Sequence, residues 1–333
     1  MDRRTFLRGA AGLAALVASR RVLPAVRPPK ARVLVIGGGM AGATVAKYLR
    51  LWGDQVEVTL VERRATYTST IMSNLVLTGQ RTLDSLAYRY DALQSRYGVR
   101  LVVDDVVEVD PVGSSVRLAS GRRLGADRII LAPGIDFDPV PGLTDPDRMP
   151  HAWQAGPQTS LLAQQLAALP EGGIVAITVP KTPYRCPPGP YERACLIADW
   201  LKTNKPRAKL ILLDANPDMA AQKENFHRAF SELYGGIIEY RNKVEITSVD
   251  PGKMTLATSS GPVRADGVNL IPRQRAAALA ADAGLAPDAH TRFAPGAVLS
   301  YARPGPPTPP LRGAPRATPQ PGARHWATHQ AAA

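Results

Sequence analysis

A glycine-rich turn is the first part of the sequence with recognisable chemistry. It covers residues 37–42, after an apolar strand predicted over 31–36 and before a helical stretch over 43–52. In this G-x-G-x-x-G pattern the first glycine permits a tight turn, the second lets backbone approach a pyrophosphate, and the third lets the helix pack closely on the strand. The helix N-terminus then offers free N–H groups to phosphates. The pattern therefore predicts a dinucleotide-binding turn.

A second predicted strand, over 56–61, ends in an acidic residue, Glu62. It lies twenty residues after Gly42, where the ribose hydroxyls of a bound dinucleotide need an acceptor. Dinucleotide binding is favoured far more by the whole unit than by the glycines alone, because the glycines stand between a strand and a helix and the next strand ends in an acid. The candidate cofactor-binding residues of this region are Gly37, Gly39, Met40, Ala41, Gly42, Glu62 and Arg63.

The chain has only two cysteines, Cys186 and Cys195. Cys186 lies among prolines in the run 183–193, and these prolines restrict the loop that carries the thiol. Arg185 would lower the thiol pKa if its charge points inward, so Cys186 and Arg185 are the candidate catalytic residues. A buried structural thiol at Cys186 is the alternative, and a bridge to Cys195 is also open. Cys195 itself lies on an apolar helix face and is predicted to be a packed small hydrophobe.

Other side chains near Cys186 carry weaker signals. Tyr184 and Tyr191 are predicted to be packing aromatics rather than acid–base groups. Glu192 and Arg193 are predicted to form a surface or helix-start pair.

Charge and composition exclude several functions. The net charge of +13 is concentrated at the ends, with seven basic and one acidic residue over 1–30, and five basic and one acidic over 286–333. No basic stripe with interleaved aromatics occurs, which argues against a nucleic-acid partner. No C-x-x-C-H sequence occurs for covalent haem attachment, and no four-ligand zinc spacing is present.

The two ends differ from the rest of the chain. Residues 1–30 place the paired arginines Arg3 and Arg4 before a short apolar run, a pattern typical of a twin-arginine export signal and too short to span a bilayer. We therefore expect a periplasmic protein without a stable membrane span. Residues 286–333 hold ten of the 31 prolines and are predicted to be a disordered Pro/Arg/Ala-rich tail.

The pattern of the middle of the chain predicts an α/β fold. Residues 31–150 form the predicted N-terminal part of a cofactor-binding domain, residues 139–156 read as a linker, and residues 151–285 form a second α/β domain. Helices are predicted over 159–169, through Trp200 and over 220–233. Strands are predicted over 173–179, 209–213, as a pair across 238–249 and 253–258, and over 267–271. Five prolines after the strand at 173–179 stand where a nicotinamide cofactor needs free N–H donors, so we expect that this domain has lost NAD(P)H binding.

Several segments together resemble a known family. The stretch Ala132-Pro133-Gly134 resembles the A-T-G segment of flavoproteins with two dinucleotide-binding domains, and favours FAD over NAD. The cysteine loop over 183–193, the segment Ser73-Asn74-Leu75-Val76-Leu77 and the segment 269–276 resemble the flavoprotein subunit of flavocytochrome c sulfide dehydrogenases. The resemblance covers residues 1–285 and is most specific in the cysteine loop.

The resemblance implies a glutathione-reductase-like fold with a Rossmann-type FAD domain and a degenerate second domain. It adds Asn74, Ala132 and Gly134 to the candidate cofactor-binding residues. It further implies sulfide oxidation through a redox disulfide between Cys186 and a cysteine near the C-terminus, with FAD passing electrons to a separate c-type cytochrome.

The chain departs from this family after about residue 285. The family continues with a Gly-Asp strand and the partner cysteine, whereas the only Gly-Asp here is Gly53-Asp54 and no cysteine follows Cys195. We therefore expect the C-terminal part of the FAD domain to be missing, through truncation or a frameshift. Alternative functions are a sulfide:quinone oxidoreductase-like flavoprotein, an NAD(P)H-dependent disulfide reductase, and an inactive remnant that binds FAD weakly or not at all.

Overall fold

The structure is a computed structural model that describes residues 28–285 and 292–294. The predicted export signal over 1–30 lies outside the described residues except for its last three positions. The predicted tail over 286–333 lies outside them except for Arg292, Phe293 and Ala294.

The first half contains ten strands and three helices. In chain order they are β1 (Ala31–Ile36), α1 (Met40–Trp52), β2 (Val56–Glu62), β3 (Thr66–Thr68), α2 (Asn74–Leu77), a 3-10 turn (Asp84–Leu86), β4 (Ala87–Arg89), α3 (Asp91–Tyr97), β5 (Arg100–Val103), β6 (Val106–Asp110), β7 (Ser115–Leu118), β8 (Arg123–Gly125), β9 (Arg128–Leu131) and β10 (Ile135–Phe137).

The second half, as far as residue 285, contains eight strands and four helices. In chain order they are α4 (Pro157–Ala167), β11 (Ile174–Val179), α5 (Gly189–Asn204), β12 (Lys209–Asp214), α6 (Lys223–Arg228) with a π-helical turn (Ala229–Leu233), β13 (Ile238–Arg241), β14 (Ile246–Asp250), β15 (Thr255–Thr258), β16 (Gly261–Arg264), β17 (Gly267–Asn269), β18 (Gln274–Ala276) and α7 (Ala278–Asp282).

Each half is built on a four-stranded parallel sheet. The strand orders are β5-β2-β1-β9 and β13-β12-β11-β17. Strand β1 is apolar over almost its whole length because both of its faces are covered. Val33 and Val35 pack toward α1, while Leu34 and Ile36 pack toward the antiparallel sheet β6-β7-β8. The predicted α/β fold with two Rossmann-type units is confirmed.

Two element predictions were wrong in detail. The single strand expected over 238–249 is two strands in different sheets: β14 pairs with β15 as the predicted pair with 253–258, whereas β13 joins β12 in parallel. The helix expected over 220–233 begins at Lys223 and ends in a π-helical turn. An apolar pattern indicates the period of an element, but not the neighbour that will cover it.

After the second sheet the chain returns to the first half. Strand β18 pairs antiparallel with β10, with Gln274 opposite Phe137. Beyond α7, Ala283 and Leu285 are buried in the core cluster that also contains Leu34 and Ile36. Together with the 138–156 segment this return gives two connections between the halves, and both run beside the cysteine loop.

Candidate functional site

The glycine turn lies at the carboxyl end of β1. Gly37 has a φ of +96°, and a Cβ there would overlap the carbonyl oxygen of Ala132, whose own N–H bonds Ile36 O at 2.8 Å. A Cβ on Gly42 would overlap the carbonyl oxygen of Gly37. Only glycine fits these two positions, and the missing side chain at Gly37 lets the segment Ala132-Pro133-Gly134 lie directly against the turn.

The remaining candidates of this group lie around the same turn. Gly39 is the N-cap of α1, Met40 and Ala41 are its first residues, and Gly134 has a φ of +81°. The Glu62 carboxylate ends β2 and accepts a hydrogen bond from Gly38 N at 2.5 Å. Its other oxygen accepts one from Arg64 N at 3.2 Å.

Arg63 is placed differently from the rest of this group. Its guanidinium lies 3.7 Å from the Asp105 carboxylate, and both side chains are more than half exposed. The structure thus directs this cation toward Asp105, beside strand β6.

Tyr90 also belongs to the turn, although sequence reasoning did not single it out. Its hydroxyl donates to Gly38 O at 2.9 Å, and its side chain is buried. A Cβ on Gly38 would stand 2.8 Å from Tyr90 Cζ, so the tyrosine ring explains why a third glycine occurs here. No sequence signal marks this contact, because the two residues are 52 positions apart.

The cysteine loop lies at the carboxyl end of β11, between Val179 and Gly189. Cys186 has a φ of +59°, a left-handed conformation that costs a non-glycine residue about 1–3 kcal/mol. Its carbonyl oxygen accepts a hydrogen bond from Gly189 N at 2.9 Å, which leads the loop into α5. Strain of this kind is often found where a reactive side chain must be held in place.

The protonation of Cys186 differs from the expectation. Although the residue is exposed on one side, desolvation by the protein atoms around its sulfur raises the pKa of the thiol, and Glu192 raises it further. Arg185, the Gly189 N–H and Arg193 lower it, but their sum is smaller. Arg185 therefore acts in the predicted direction, while the net pKa shift is upward because burial of the charged form outweighs it.

Arg185 anchors the cysteine loop to both connections between the halves. Its guanidinium Nη2 donates to Trp153 O, and its backbone N–H donates to Gln274 Oε1 at 2.8 Å. Since Gln274 lies in β18, which pairs with β10 just beyond Gly134, the loop is tied to the strand pair next to the A-P-G segment.

Arg193 is a buried cation, which corrects its assignment to the surface, while Glu192 lies in the first turn of α5 as the helix-start alternative predicts. Arg193 lies in the second turn of α5 and is 2% exposed, while Glu192 is exposed. The amphipathic pattern around it gave no indication of burial. Its Nε donates at 2.9 Å to Asn74 Oδ1, and Asn74 Nδ2 donates at 3.2 Å to Glu192 Oε1. Asn74, predicted to contact a cofactor, thus lies beside α5, the helix that follows the cysteine loop.

The carboxylate at the end of β12 is buried and already hydrogen-bonded within the protein. Asp214 ends β12 as Glu62 ends β2, but it is fully buried and accepts hydrogen bonds from Tyr191 Oη at 2.7 Å and Tyr240 Oη at 3.0 Å. Asn216 donates two more, at 2.8 and 2.7 Å. Tyr191 also accepts from Ala220 N at 3.0 Å, so this tyrosine is a packing group with a structural hydroxyl, as predicted.

The other predicted packing residues also lie in the core. Tyr184 is buried and donates to Pro187 O at 3.0 Å. Cys195 packs against the main core cluster, and burial raises its pKa to about 11.

The residues fit an FAD molecule at the first sheet. Glycines whose Cβ would overlap backbone let a pyrophosphate approach the turn, and Glu62 is placed for a ribose. Between the turn and the cysteine loop, three buried polar atoms have no hydrogen-bond partner among the described residues: Tyr67 Oη, Trp153 Nε1 and Gln274 Nε2. Buried donors of this kind usually meet an acceptor, and a flavin ring carries several.

The described ranges, 28–285 and 292–294, contain neither a metal-binding cluster nor a membrane-spanning helix. No cluster of three or more His, Cys, Asp or Glu side chains able to hold a metal ion occurs there. No helix in this part of the chain has the length and apolar character needed to cross a membrane.

Comparison with known proteins gives two family matches. The central region of the sulfide dehydrogenase (flavocytochrome c) flavoprotein chain matches residues 159–272, and the pyridine nucleotide-disulphide oxidoreductases match residues 31–161.

Individual relatives agree with these matches. A sulfide dehydrogenase (flavocytochrome c) flavoprotein chain from Chlorobaculum thiosulfatiphilum is 47% identical over 45 residues, which are 14% of this chain and 94% of that sequence. Mouse mitochondrial sulfide:quinone oxidoreductase is 29% identical over 188 residues, 54% of this chain and 41% of that protein. The chain thus matches less than half of the mouse protein's length.

The structural comparison supports the same fold. The sulfide:quinone oxidoreductase of Aquifex aeolicus superposes with a TM-score of 0.67 at 19% identity, over 79% of this chain and 63% of that one. A putidaredoxin reductase in complex with putidaredoxin gives 0.60 at 19% identity, over 78% and 63%.

Proposed function

The chain belongs to the family of flavocytochrome c sulfide dehydrogenase flavoproteins, and from that premise we propose that it oxidises sulfide and passes the electrons to a c-type cytochrome. FAD is the cofactor that this family and its relatives bind. The observation that carries the proposal is the position of Cys186. It lies in a loop that Arg185 ties through Gln274 to the strand pair beside the cofactor-binding turn.

Binding of FAD is assigned to the residues around the first sheet. Gly37, Gly39, Gly42 and the first turn of α1 would hold the pyrophosphate, and Glu62 the ribose. When bound, the cofactor supplies an acceptor for two electrons that can be passed on one at a time.

Cys186 would hold the sulfur of the substrate. Bond formation between its thiolate and hydrosulfide gives a persulfide and releases one proton to solvent and two electrons, for which bound FAD would be the acceptor. Burial and Glu192 raise the pKa of the thiol, and the nearby cations Arg185 and Arg193 partly offset this rise in favour of the thiolate. This step needs a single cysteine, and the two-cysteine route of the family would add a disulfide partner to it.

The remaining parts of the proposal concern partner and location. The sequence contains no C-x-x-C-H motif, so the haem that accepts the electrons would belong to a separate cytochrome subunit. The paired arginines Arg3 and Arg4 support export by the twin-arginine route to the periplasm.

Quinone reduction is the second candidate function. It is favoured by the matches to the mouse and Aquifex aeolicus sulfide:quinone oxidoreductases. Nicotinamide reduction is not favoured, since the Asp214 carboxylate is already bonded by Tyr191 and Tyr240.

The test uses the purified full chain with added FAD. Bleaching of the visible flavin absorption by sulfide, followed by reduction of added cytochrome c, is the expected result. Cys186→Ser should abolish bleaching, while the matched control Cys195→Ser should keep it. Electron transfer to a soluble quinone but not to cytochrome c would favour the second candidate. A chain that takes up no FAD would contradict both and support an inactive remnant.

A further inference from the structure

Arg193 joins three separate segments of the chain through its guanidinium. Besides Asn74, it donates from Nη1 to His151 O at 3.1 Å and to Asn269 Oδ1 at 2.9 Å. Its Nη2 donates to Ala152 O at 2.8 Å. Within the described residues these acceptors are all neutral oxygens, so the guanidinium is held by hydrogen bonds rather than by a direct ion pair, while Glu192, which Asn74 links to it, attracts its charge.

The charge persists despite burial. Desolvation lowers the pKa of Arg193 to about 9, which still leaves the guanidinium protonated at neutral pH. Removing a cation from water without a carboxylate partner costs several kcal/mol, at least part of which the hydrogen bonds offset. A position that served packing alone would be filled better by an apolar side chain of similar size.

Trp153 connects Arg193 to the cysteine. The guanidinium carbon lies 4.9 Å from the centroid of the Trp153 ring. Gly189 is the first residue of α5. A Cβ placed on it would stand 2.7 Å from Trp153 Cη2 and 3.1 Å from Cys186 Sγ. The Trp153 indole and the Cys186 sulfur therefore both lie next to the Cα of Gly189. The Arg193 guanidinium stacks on that indole and holds it beside the cysteine.

The charged groups facing Cys186 come from the cysteine loop and from α5. Arg185 and Arg193 favour the thiolate, whereas Glu192 disfavours it. In the linker, burial and the two arginines lower the pKa of His151 to about 4, so that it is neutral at neutral pH. Tyr184 also lies near, and burial keeps it protonated.

We propose that Arg193 is a positioning residue for Cys186, which holds the Trp153 indole and the linker against the cysteine loop and supplies a fixed positive charge that favours the thiolate. The inference deepens the proposed function, because it names the residue that prepares the sulfur-accepting thiol. It assigns to Arg193 an effect on Cys186 through space and through Trp153, without contact with substrate.

The test measures the thiolate directly. In a Cys195→Ala background, the rate of Cys186 alkylation by iodoacetamide is followed against pH for the full chain and for three variants. Arg193→Met should displace the profile to higher pH, with rates ~3-fold to ~10-fold lower below the midpoint. Arg193→Lys, which keeps the charge, should restore most of the rate. Glu192→Gln should displace the profile to lower pH.

Equal displacement by Arg193→Met and Arg193→Lys, or none by Arg193→Met in a chain with unchanged far-UV circular dichroism, would overturn the inference. If Arg193→Met does not fold, Arg193→Lys decides. Alkylation rates of Arg193→Lys within about twofold of the parent support the inference, and alkylation rates about tenfold lower refute it. Alkylation needs neither sulfide nor an electron acceptor, so this result stands apart from success or failure of the proposed function.

Discussion

The hydroxyl of Tyr90 donates a hydrogen bond to the carbonyl oxygen of Gly38 at 2.9 Å, while Gly38 N–H donates to Glu62 at 2.5 Å. The middle glycine of the turn is therefore held from both sides, by a ring from the segment before α3 and by the acid at the end of β2. The geometry of the turn depends on these side chains as well as on its own glycines.

Gly38→Ala should weaken FAD binding and destabilise the fold by about 1–3 kcal/mol, because the added methyl meets the Tyr90 ring. Tyr90→Phe should cost about 1 kcal/mol through the lost hydrogen bond. Urea unfolding and FAD titration by fluorescence quenching measure both effects. Gly125→Ala is the matched control, since its Cβ would stand 4.0 Å from the Ser114 carbonyl oxygen. A Gly38→Ala variant as stable as Gly125→Ala would show that the ring does not constrain the turn.

Glu62→Ala should lower FAD affinity about tenfold or more, since it removes the ribose acceptor and the partner of Gly38 N–H. Arg63→Ala should change it by about twofold at most, because its side chain is 60% exposed beside Asp105. Isothermal titration with FAD compares the two neighbouring substitutions. Equal losses from both would mean that Arg63 turns toward the cofactor.

Acid should destabilise the protein through His151. Burial and two arginines lower its folded pKa to about 4, below the unfolded value near 6.5, so the unfolded chain binds more protons between these values. Stability should therefore fall as the pH drops through this window, by up to about 3 kcal/mol. Urea unfolding at a series of pH values measures the slope. The variant His151→Asn can still accept the hydrogen bond from Trp153 N, and it should flatten the dependence of stability on pH. An unchanged slope would mean that other groups cause the acid sensitivity.

Tyr240→Phe should destabilise the second sheet by about 1.5–3 kcal/mol at neutral pH, because a buried carboxylate loses a donor. Burial already raises the folded pKa of Asp214, so the native state holds its proton to higher pH than the unfolded chain. The loss should therefore shrink as the pH falls and Asp214 becomes protonated. The exposed Tyr88→Phe is the control for unfolding measurements. A loss that does not depend on pH would mean that the contact with Asp214 is not its source.

The sequence predicted the parts of the site that depend on neighbouring positions. Gly37, Gly42 and Glu62 belong to one βαβ unit, so their spacing alone indicates their relationship. The prolines around Cys186 likewise predicted that a nicotinamide glycine loop is not present there, and the structure adds the bonded Asp214 carboxylate.

The parts that could not be predicted depend on contacts across the chain. Arg193 bonds Asn74 across 119 positions and Asn269 across 76, and a charged residue in a helix is ordinarily solvated. For Cys186 the sequence showed the neighbouring Arg185 but not the desolvation that outweighs it. Burial of a charge is a property of the assembled fold, which no local pattern contains.

Four consecutive carbonyl oxygens of the linker, from Pro150 to Trp153, accept hydrogen bonds from side chains. Asn269 bonds the first two, Arg193 bonds the second and third, and Arg185 bonds the fourth. A hinge needs a few residues whose backbone torsions are free to change, and here a change in these torsions would break hydrogen bonds that are buried or partly buried. The two sheets should accordingly move as one body. Ligands would then reach Cys186 from its exposed side, without any opening of the halves.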